Sequence, residues 1–496
     1  MSGRAVRAVG GVEDLGRVHL IGIGGAGMSG IARILLARGV PVSGSDARDS
    51  AAVQGLRAAG AAVHVGHDAA HVEHLGDGDT VVVSSAVRAA NPELVAGRAR
   101  GAAVLHRSEA LAALMAGRRA VAVAGTHGKT TTTSMLTVAL QHAGADPSFA
   151  IGGELTDGGA GAHHGGGDVF VAEADESDGS FLRYSPTVAV VTNVEPDHLD
   201  HYGTPEAVAA AFDAFCDRVV PGGLLVACVD DPGAAAMAAA ARARRPDLTV
   251  VGYGGTEGAD VRIEDLRLEP DGDGVGARFV LRSALGAFPL TLRVPGRHNA
   301  ANAAAAFAAA TGLGLDPHRV LAGLAAFGGA RRRFEVKGTA DGVRVVDDYA
   351  HHPTEVTAVL TAARAVAGQG RVVAVFQPHL FSRTRLFARE FGAALGLADE
   401  VLVTAVYAAR EDPEPGVTGA LVADAVPPPT LVHHEPDAAA VPQRLLDLAR
   451  PGDLVLTVGA GDVTAYGPAL LGLLRARQER RTGSAPLPVP VGESGR

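Results

Sequence analysis

Arg119-Ala120-Val121-Ala122-Val123-Ala124 runs directly into Gly125-Thr126-His127-Gly128-Lys129-Thr130-Thr131. After Arg119 the first run carries no polar side chain, which is how a strand covered on both faces of a parallel sheet reads. The second run is rich in glycine and threonine, and an apolar helix follows to about His142. A buried strand, a glycine turn and a helix start, in that order, form a cradle for phosphate. Backbone N–H groups and the positive end of the helix point at one place. Gly125, Thr126, His127, Gly128, Lys129, Thr130 and Thr131 are therefore the expected ATP contacts. Lys129 would reach the β/γ-phosphates, and the Thr130 hydroxyl would hold Mg²⁺. Two residues separate Gly125 from Gly128, whereas the commoner loop has four before its Gly-Lys pair.

The lysine in that loop stands out against the composition. Lys and Arg total 44, yet only Lys129 and Lys337 are lysines. Lysine is a compact point charge and arginine a planar fork, so a lysine kept where arginine is the rule suggests a task for a point charge. The formal net charge of −10 argues against a nucleic-acid binder, which would carry a basic stripe. Two cysteines, Cys216 and Cys228, give neither a disulfide framework nor metal-knuckle spacing, and they predict a reducing, cytoplasmic setting. No leader is expected, and no charge-free apolar run of about 18 residues predicts a membrane helix.

Outward from the loop, the chain reads as α/β with three domains. Residues 1–16 look like a loose start. Strands near 18–21, 40–46, 62–65 and 80–84 alternate with helices, which predicts a Rossmann-like parallel sheet over residues 1–115. A central P-loop ATPase domain spans 116–327, with strands near 169–172, 188–192, 223–228 and 248–253. Residues 260–295 read as an antiparallel appendage, and 299–311 as an alanine-rich helix. A second Rossmann-like domain spans 328–481, with strands near 343–347, 372–376, 400–404 and 453–458. Residues 482–496 lack periodicity and read as a disordered tail.

Two segments end strands of the central sheet, where ligands collect in open α/β folds. They are Glu173-Ala174-Asp175-Glu176-Ser177-Asp178 and Asn193-Val194-Glu195-Pro196-Asp197-His198-Leu199-Asp200. Four acids within six residues are costly to assemble without a cation. A third segment, Gly296-Arg297-His298-Asn299-Ala300-Ala301-Asn302, precedes the alanine-rich helix. The run Arg331-Arg332-Arg333 supplies positive charge where the second interdomain hinge is placed.

The shortened loop and these segments resemble the acid–amino-acid ligases, which include the Mur ligases and the folylpolyglutamate synthases. The resemblance covers most of residues 18–470. It implies three domains, and a reaction that activates a carboxylate as an acyl phosphate at the expense of ATP. It implies metal ligation by Thr130, Glu173 and His198, and catalytic roles for Lys129, Glu173, His198 and Arg333. Asn299, Asn302, Arg333 and Asp348 would contact ATP. The carbamylated lysine of some Mur ligases has no counterpart, because no lysine lies between 130 and 336.

Gly22-Ile23-Gly24-Gly25-Ala26-Gly27-Met28 contains G-x-G-x-x-G after a strand, and Asp46 ends the next strand. Taken alone this fits NAD as well as other diphosphates. The Met-Ser-Gly continuation resembles the Mur member that binds a UDP-sugar acid, so Gly22, Gly24, Gly25, Gly27 and Asp46 are expected to hold UDP-N-acetylmuramate. Asp347-Asp348-Tyr349-Ala350-His351-His352-Pro353-Thr354-Glu355 and Phe376-Gln377-Pro378-His379 are similar to signatures of the same member. They imply L-alanine as the amine and substrate roles for Tyr349, His351 and Arg383. Arg383 is the expected partner of the amino-acid carboxylate. Leu380 stands where some members carry arginine. The resemblance further implies no nucleic-acid or membrane partner, and a monomer or weak homodimer. Three other readings stay open: a sibling that attaches a whole peptide, an NAD-dependent oxidoreductase, and a non-enzymatic nucleotide switch.

Overall fold

The computed structural model describes residues 10–156, 161–271, 274–409 and 411–482. The chain separates into two compact units, Met1–Ala330 and Arg331–Arg496.

The first unit contains two sheets. In the N-terminal sheet, β1 (Val18–Ile21), β2 (Val42–Asp46), β3 (Ala62–Val65), β4 (Thr80–Val83) and β5 (Ala103–His106) lie in the order β3-β2-β1-β4-β5. Every pair is parallel. The helices are α1 (Ala26–Ala37), α2 (Ala51–Ala58), α3 (Pro92–Ala99) and α4 (Arg107–Met115). The order reverses beside β1, which puts the mouth of the sheet at the β1–α1 turn. The expected loose start is partly wrong. Leu15 is fully buried, and its carbonyl accepts the Thr80 hydroxyl at 2.7 Å. Residues 1–9 lie outside the described residues.

The central sheet has ten strands. β6 (Arg119–Ala124) enters α5 (Lys129–His142), and β7 (Ser148–Ala150), β8 (Ala162–His163) and β9 (Val169–Glu173) follow. Next come β10 (Val188–Val191), α6 (Leu199–Tyr202), α7 (Pro205–Asp217), β11 (Leu224–Cys228), α8 (Pro232–Arg244) and β12 (Thr249–Gly254). The antiparallel appendage is β13 (Val261–Asp271), β14 (Gly274–Ser283) and β15 (Gly286–Leu292), and α9 (Arg297–Gly312) and α10 (Pro317–Ala326) close the unit. The appendage extends the same sheet, because β13 pairs in parallel with the end of β12. β6 lies between β10 and β9, so the loop after it opens among the ends of its neighbours. The alanines of α9 let that helix lie close on the sheet and on α5: Ala303 to Ala306 are all fully buried. Cys216 and Cys228 are buried and free.

The second unit carries a six-stranded sheet in the order β16-β17-β21-β18-β19-β20. Its strands are β16 (Glu335–Ala340), β17 (Val343–Asp348), β18 (Val372–Phe376), β19 (Glu400–Thr404), β20 (Leu431–Glu435) and β21 (Leu454–Val458). β16 is antiparallel to its neighbour and the remaining pairs are parallel. The helices are α11 (Pro353–Ala367), α12 (Phe381–Leu395), α13 (Ala420–Ala423), α14 (Val441–Leu448) and α15 (Tyr466–Thr482). Beyond Thr482, the expected tail lies outside the described residues. Among the described residues, no helix is long and apolar enough to cross a membrane.

Candidate active site

The turn from β6 to α5 is built on two glycines. Gly125 has φ 133° and Gly128 has φ 81°, values that side-chain-bearing residues rarely adopt. The amides of Thr126 and His127 are taken by Asn193, through its carbonyl at 3.2 Å and its side-chain oxygen at 2.7 Å. This leaves phosphate to the amides of the first turn of α5, which lack intrahelical acceptors. Thr131 and Thr132 continue the buried face of that turn.

Lys129 curls back over the loop. Its Nζ donates to the carbonyls of Gly125 (2.7 Å) and Thr126 (3.1 Å) and to Glu176 Oε1 (2.9 Å). Burial alone would lower its pKa, but Glu176, then Asp175 and Glu173, outweigh that and hold the amine charged above its usual range. Thr130 and Glu173 meet on the other side: the hydroxyl is 3.2 Å from Glu173 Oε1, and Gly152 N donates to Oε2 at 2.8 Å. Two hard oxygen donors side by side beside a phosphate loop suit Mg²⁺. His198 is elsewhere in the cluster. With φ 53° at the start of α6, it brings Nε2 to 3.5 Å from Glu176 and 3.7 Å from Asp197. It therefore joins the lysine–carboxylate group.

Asn299 and Asn302 stand behind the loop. Asn302 Oδ1 accepts the Thr132 hydroxyl at 3.1 Å, and its amide donates to Asn299 Oδ1 at 3.3 Å. A Cβ at Gly128 would lie 2.9 Å from Asn302 Oδ1. Both residues are buried and fix the loop from its protein side. Glu176, Asp175 and Asn193 were missing from the expected set. Glu176 was hidden among four acids of equal promise. Asn193 had no signal beyond ending a strand beside the loop.

The second glycine-rich turn lies between β1 and α1. Gly22 has φ 76°, Gly25 caps α1, and Gly24 N donates to Asp46 Oδ2 at 2.9 Å. Gly22, Gly25, Gly27 and Asp46 line a pocket of about 660 Å³, together with His67 and Arg107. Beneath it lies Glu93, fully buried. Glu93 contacts Ser45 (2.5 Å), His71 (2.7 Å), His67 (3.3 Å) and His19 (3.7 Å). Burial raises its pKa, but His19 at 3.7 Å and hydrogen bonds with Ser45 and His71 pull it down to about 2.

In the second unit, the guanidinium groups of Arg332 and Arg333 lie 4.7 and 5.2 Å from the Tyr349 ring centre. Arg332 is locked by the carbonyls of Gly459 (2.6 Å) and Gly461 (3.1 Å). Both oxygens of Asp348 accept backbone N–H groups, from Phe334 and Ala350, each at 2.7 Å. Asp348 is buried, and burial lifts its pKa to about 6 against the pull of Arg333. Its observed role is to hold the turn that carries Arg333. His351 stacks edge-on with Tyr349 at 5.4 Å and with His379 at 5.7 Å. Burial pushes its pKa down to about 3 despite Glu355, so the ring is neutral. Arg383 Nη1 sits 3.3 Å from His379 Nδ1. Tyr349, His351 and Arg383 are thus brought together, with His379 and Tyr407 as unexpected members; those two rings stack at 5.8 Å. Leu380 caps α12 with φ 68° and is buried, so an apolar side chain stands at that position beside Arg383.

Comparison with known proteins agrees over nearly the whole chain. Residues 17–119 match the Mur ligase family catalytic domain, 123–310 the Mur ligase middle domain, and 332–461 the Mur ligase glutamate ligase domain. The UDP-N-acetylmuramate–L-alanine ligase of Kineococcus radiotolerans is 65% identical, over 96% of this chain and 100% of that protein. The protein of the same name from Saccharopolyspora erythraea is 60% identical over 95% of each. Among solved structures, the UDP-N-acetylmuramate-alanine ligase of Thermotoga maritima superposes with a TM-score of 0.74 at 28% identity, over 93% of this chain and 99% of that one. A murein peptide ligase of Psychrobacter arcticus gives 0.65 at 26% identity, over 92% and 98%.

Proposed function

The chain belongs to the Mur ligase family, and we propose that it joins L-alanine to the carboxylate of UDP-N-acetylmuramate at the expense of ATP, a step of peptidoglycan precursor synthesis. The observation that carries the chemistry is Lys129, charged and held by Glu176 and two loop carbonyls at the start of α5. The relatives at 60–65% identity support the choice of amine.

A carboxylate is a poor electrophile. Its oxygen attacks the γ-phosphorus of ATP, the bond to the β-phosphate oxygen breaks, and ADP leaves. The amine nitrogen then attacks the acyl carbon. The C–O bond to phosphate breaks, inorganic phosphate departs, and the nitrogen loses its proton. Catalysis here means placing charge against clustered anions rather than supplying a nucleophile. Lys129 and the first-turn amides of α5 bind the transferring phosphoryl group. Thr130 and Glu173 would hold Mg²⁺, which neutralises phosphate charge when bound. His198, beside Glu176, orients the acidic cluster around Lys129. Asn299 and Asn302 fix the loop. Gly22, Gly24, Gly25, Gly27 and Asp46 receive the UDP diphosphate and ribose. In the second unit, Arg383 receives the carboxylate of alanine beside Tyr349 and His351, and Arg333 carries positive charge on the turn held by Asp348. We expect a cytoplasmic monomer or weak homodimer.

The test is ADP and phosphate release from UDP-N-acetylmuramate, ATP and magnesium, with L-alanine or a tripeptide as the amine. Release with alanine, plus a new amide, is the expected result. Release with tripeptide alone would assign the peptide-adding reaction of the Psychrobacter neighbour instead.

A further inference from the structure

Arg107 opens α4, and a cation in the first turn works against the helix dipole. The turn around it is fixed regardless. His106 caps the helix, and Glu109 Oε2 accepts the His106 amide at 2.7 Å. What compensates Arg107 is tertiary. Its Nη2 donates to Asp175 Oδ2 at 2.7 Å, with the two side chains 25% and 35% exposed. Asp175 lies between Glu173, which meets Thr130, and Glu176, which holds Lys129. Burial alone would raise the Asp175 carboxyl, but Lys129 and then Arg107 hold it at about 2. Two further contacts run from the same turn to the end of that segment and to the short turn that follows it. His106 Nε2 is 3.7 Å from Asp178 Oδ2, and Glu109 pairs with Arg183.

The other nitrogen of the fork lies beside α1. Arg107 lines the pocket at the β1–α1 turn, and a Cβ added at Gly27 would come within 3.3 Å of Nη1. The guanidinium therefore lies against the first turn of α1, where backbone amides receive a diphosphate. One planar fork spans the sugar-nucleotide pocket and the acidic segment beside the ATP loop.

We propose that Arg107 is a positioning residue that binds the diphosphate of the sugar nucleotide with Nη1 while Nη2 keeps Asp175, so that filling the pocket fixes the segment gripping Lys129. This rests on the sugar-nucleotide reading of the pocket. Arginine suits the task because its two nitrogens are held at a fixed angle, whereas a lysine ammonium would serve one partner at a time.

The experiment measures UDP binding by calorimetry on the full chain, as wild type, Arg107→Ala, Arg107→Lys and Asp175→Asn, with thermal melts to confirm folding. A charge-assisted contact to phosphate is lost in Arg107→Ala, so UDP affinity falls about tenfold or more. Arg107→Lys recovers part of it. Asp175→Asn leaves UDP affinity within about twofold. In the full reaction, Arg107→Ala raises KM for the sugar nucleotide and for ATP together, whereas Asp175→Asn raises the ATP value alone. Wild-type UDP affinity in a folded Arg107→Ala or Arg107→Lys protein would reduce the arginine to a latch between elements and overturn the proposal. Failure of the wild type to bind UDP would instead overturn the reading of the pocket itself.

Discussion

The first unit uses the same device twice: a buried strand, a glycine turn, a helix start and a buried carboxylate behind them. At the β1–α1 turn the carboxylate is Glu93, satisfied by serine and histidine side chains. At the β6–α5 turn it is Glu176, satisfied by Lys129. The first turn opens on a pocket and contains no cation of its own. The second carries its cation within the loop, with Thr126, His127, Thr130 and Thr131 all buried around it. The difference fits the two tasks proposed for these turns. Holding a diphosphate needs donors and room, while moving a phosphoryl group needs a fixed positive charge that does not reorganise during transfer.

The largest effect tests that contrast directly. Lys129→Ala should cut ADP release by about 10³-fold or more, since one preorganised donor alone is worth about 10²–10³. UDP binding at the other turn should stay at wild-type level. Turnover near wild type in the folded variant would break the comparison. Next in size is Glu176→Gln. It leaves Lys129 buried without its counter-charge, which costs about 3–5 kcal/mol in a buried pair. Calorimetric melting should show the loss, and ATP should restore more of it than it adds to wild type, because phosphate supplies the missing anion. An equal ATP-induced rise in both proteins would show that the lysine does not face the nucleotide.

How much of this was legible depends on what decides each element. β1, β6 and β18 read as apolar runs because nearly all their residues are buried. β7 and β8 are short, and β16 and β20 lie at sheet edges and carry polar residues such as Lys337 and His433. Pairing creates those strands, and pairing leaves little mark on local sequence. In the site, the glycines were readable because positive φ restricts residue choice, and Lys129 because it is one of only two lysines in the chain. Glu173 and Glu176 could not be told apart. The burial of Glu176 depends on the chain's return, where the Tyr202 hydroxyl bonds the Glu176 carbonyl at 2.5 Å. Asn299 and Asn302, expected to contact ATP, are buried behind the loop, where Asn302 bonds Thr132 and Asn299; nothing in the local sequence fixes which side of the loop they face. Arg107 belongs to no motif and shows its meaning only through Asp175.

The same substitution at both turns sharpens the comparison at a smaller scale. At Gly125, an added Cβ would sit 1.9 Å from the Thr192 hydroxyl and 2.9 Å from Thr192 N. Gly125→Ala should therefore cost about 3 kcal/mol or more, from overpacking together with backbone strain. At Gly22 nothing lies within 4 Å, so Gly22→Ala should cost only the left-handed penalty of about 1–2 kcal/mol. Denaturant unfolding of the two variants should differ in midpoint accordingly. Equal losses would mean that the second turn is no tighter than the first.

The smallest effect concerns the carboxylates themselves. Glu93 is lowered from 4.5 to about 2 by its serine and histidine donors. The unfolded chain then binds a proton near pH 4.5 while the folded chain does not. The contribution is complete above that pH and is lost as pH falls toward 2. Between pH 7 and 3.5 the loss is about 1.4 kcal/mol, since pH 3.5 lies one unit below the unfolded pKa of 4.5 and each unit is worth about 1.4 kcal/mol. Glu93→Gln removes the titration, so the gap in unfolding free energy between wild type and variant should narrow by that amount over the same range. His64 and His74 are shifted down, chiefly by burial and then by neighbouring cations. His74 destabilises both proteins alike on acidification and cancels in the difference, whereas Glu93 raises His64, which therefore opposes part of the narrowing. A gap independent of pH would mean that the histidines do not hold Glu93 ionised. The two turns would then differ in the charge state of the acid behind them as well as in the cation in front.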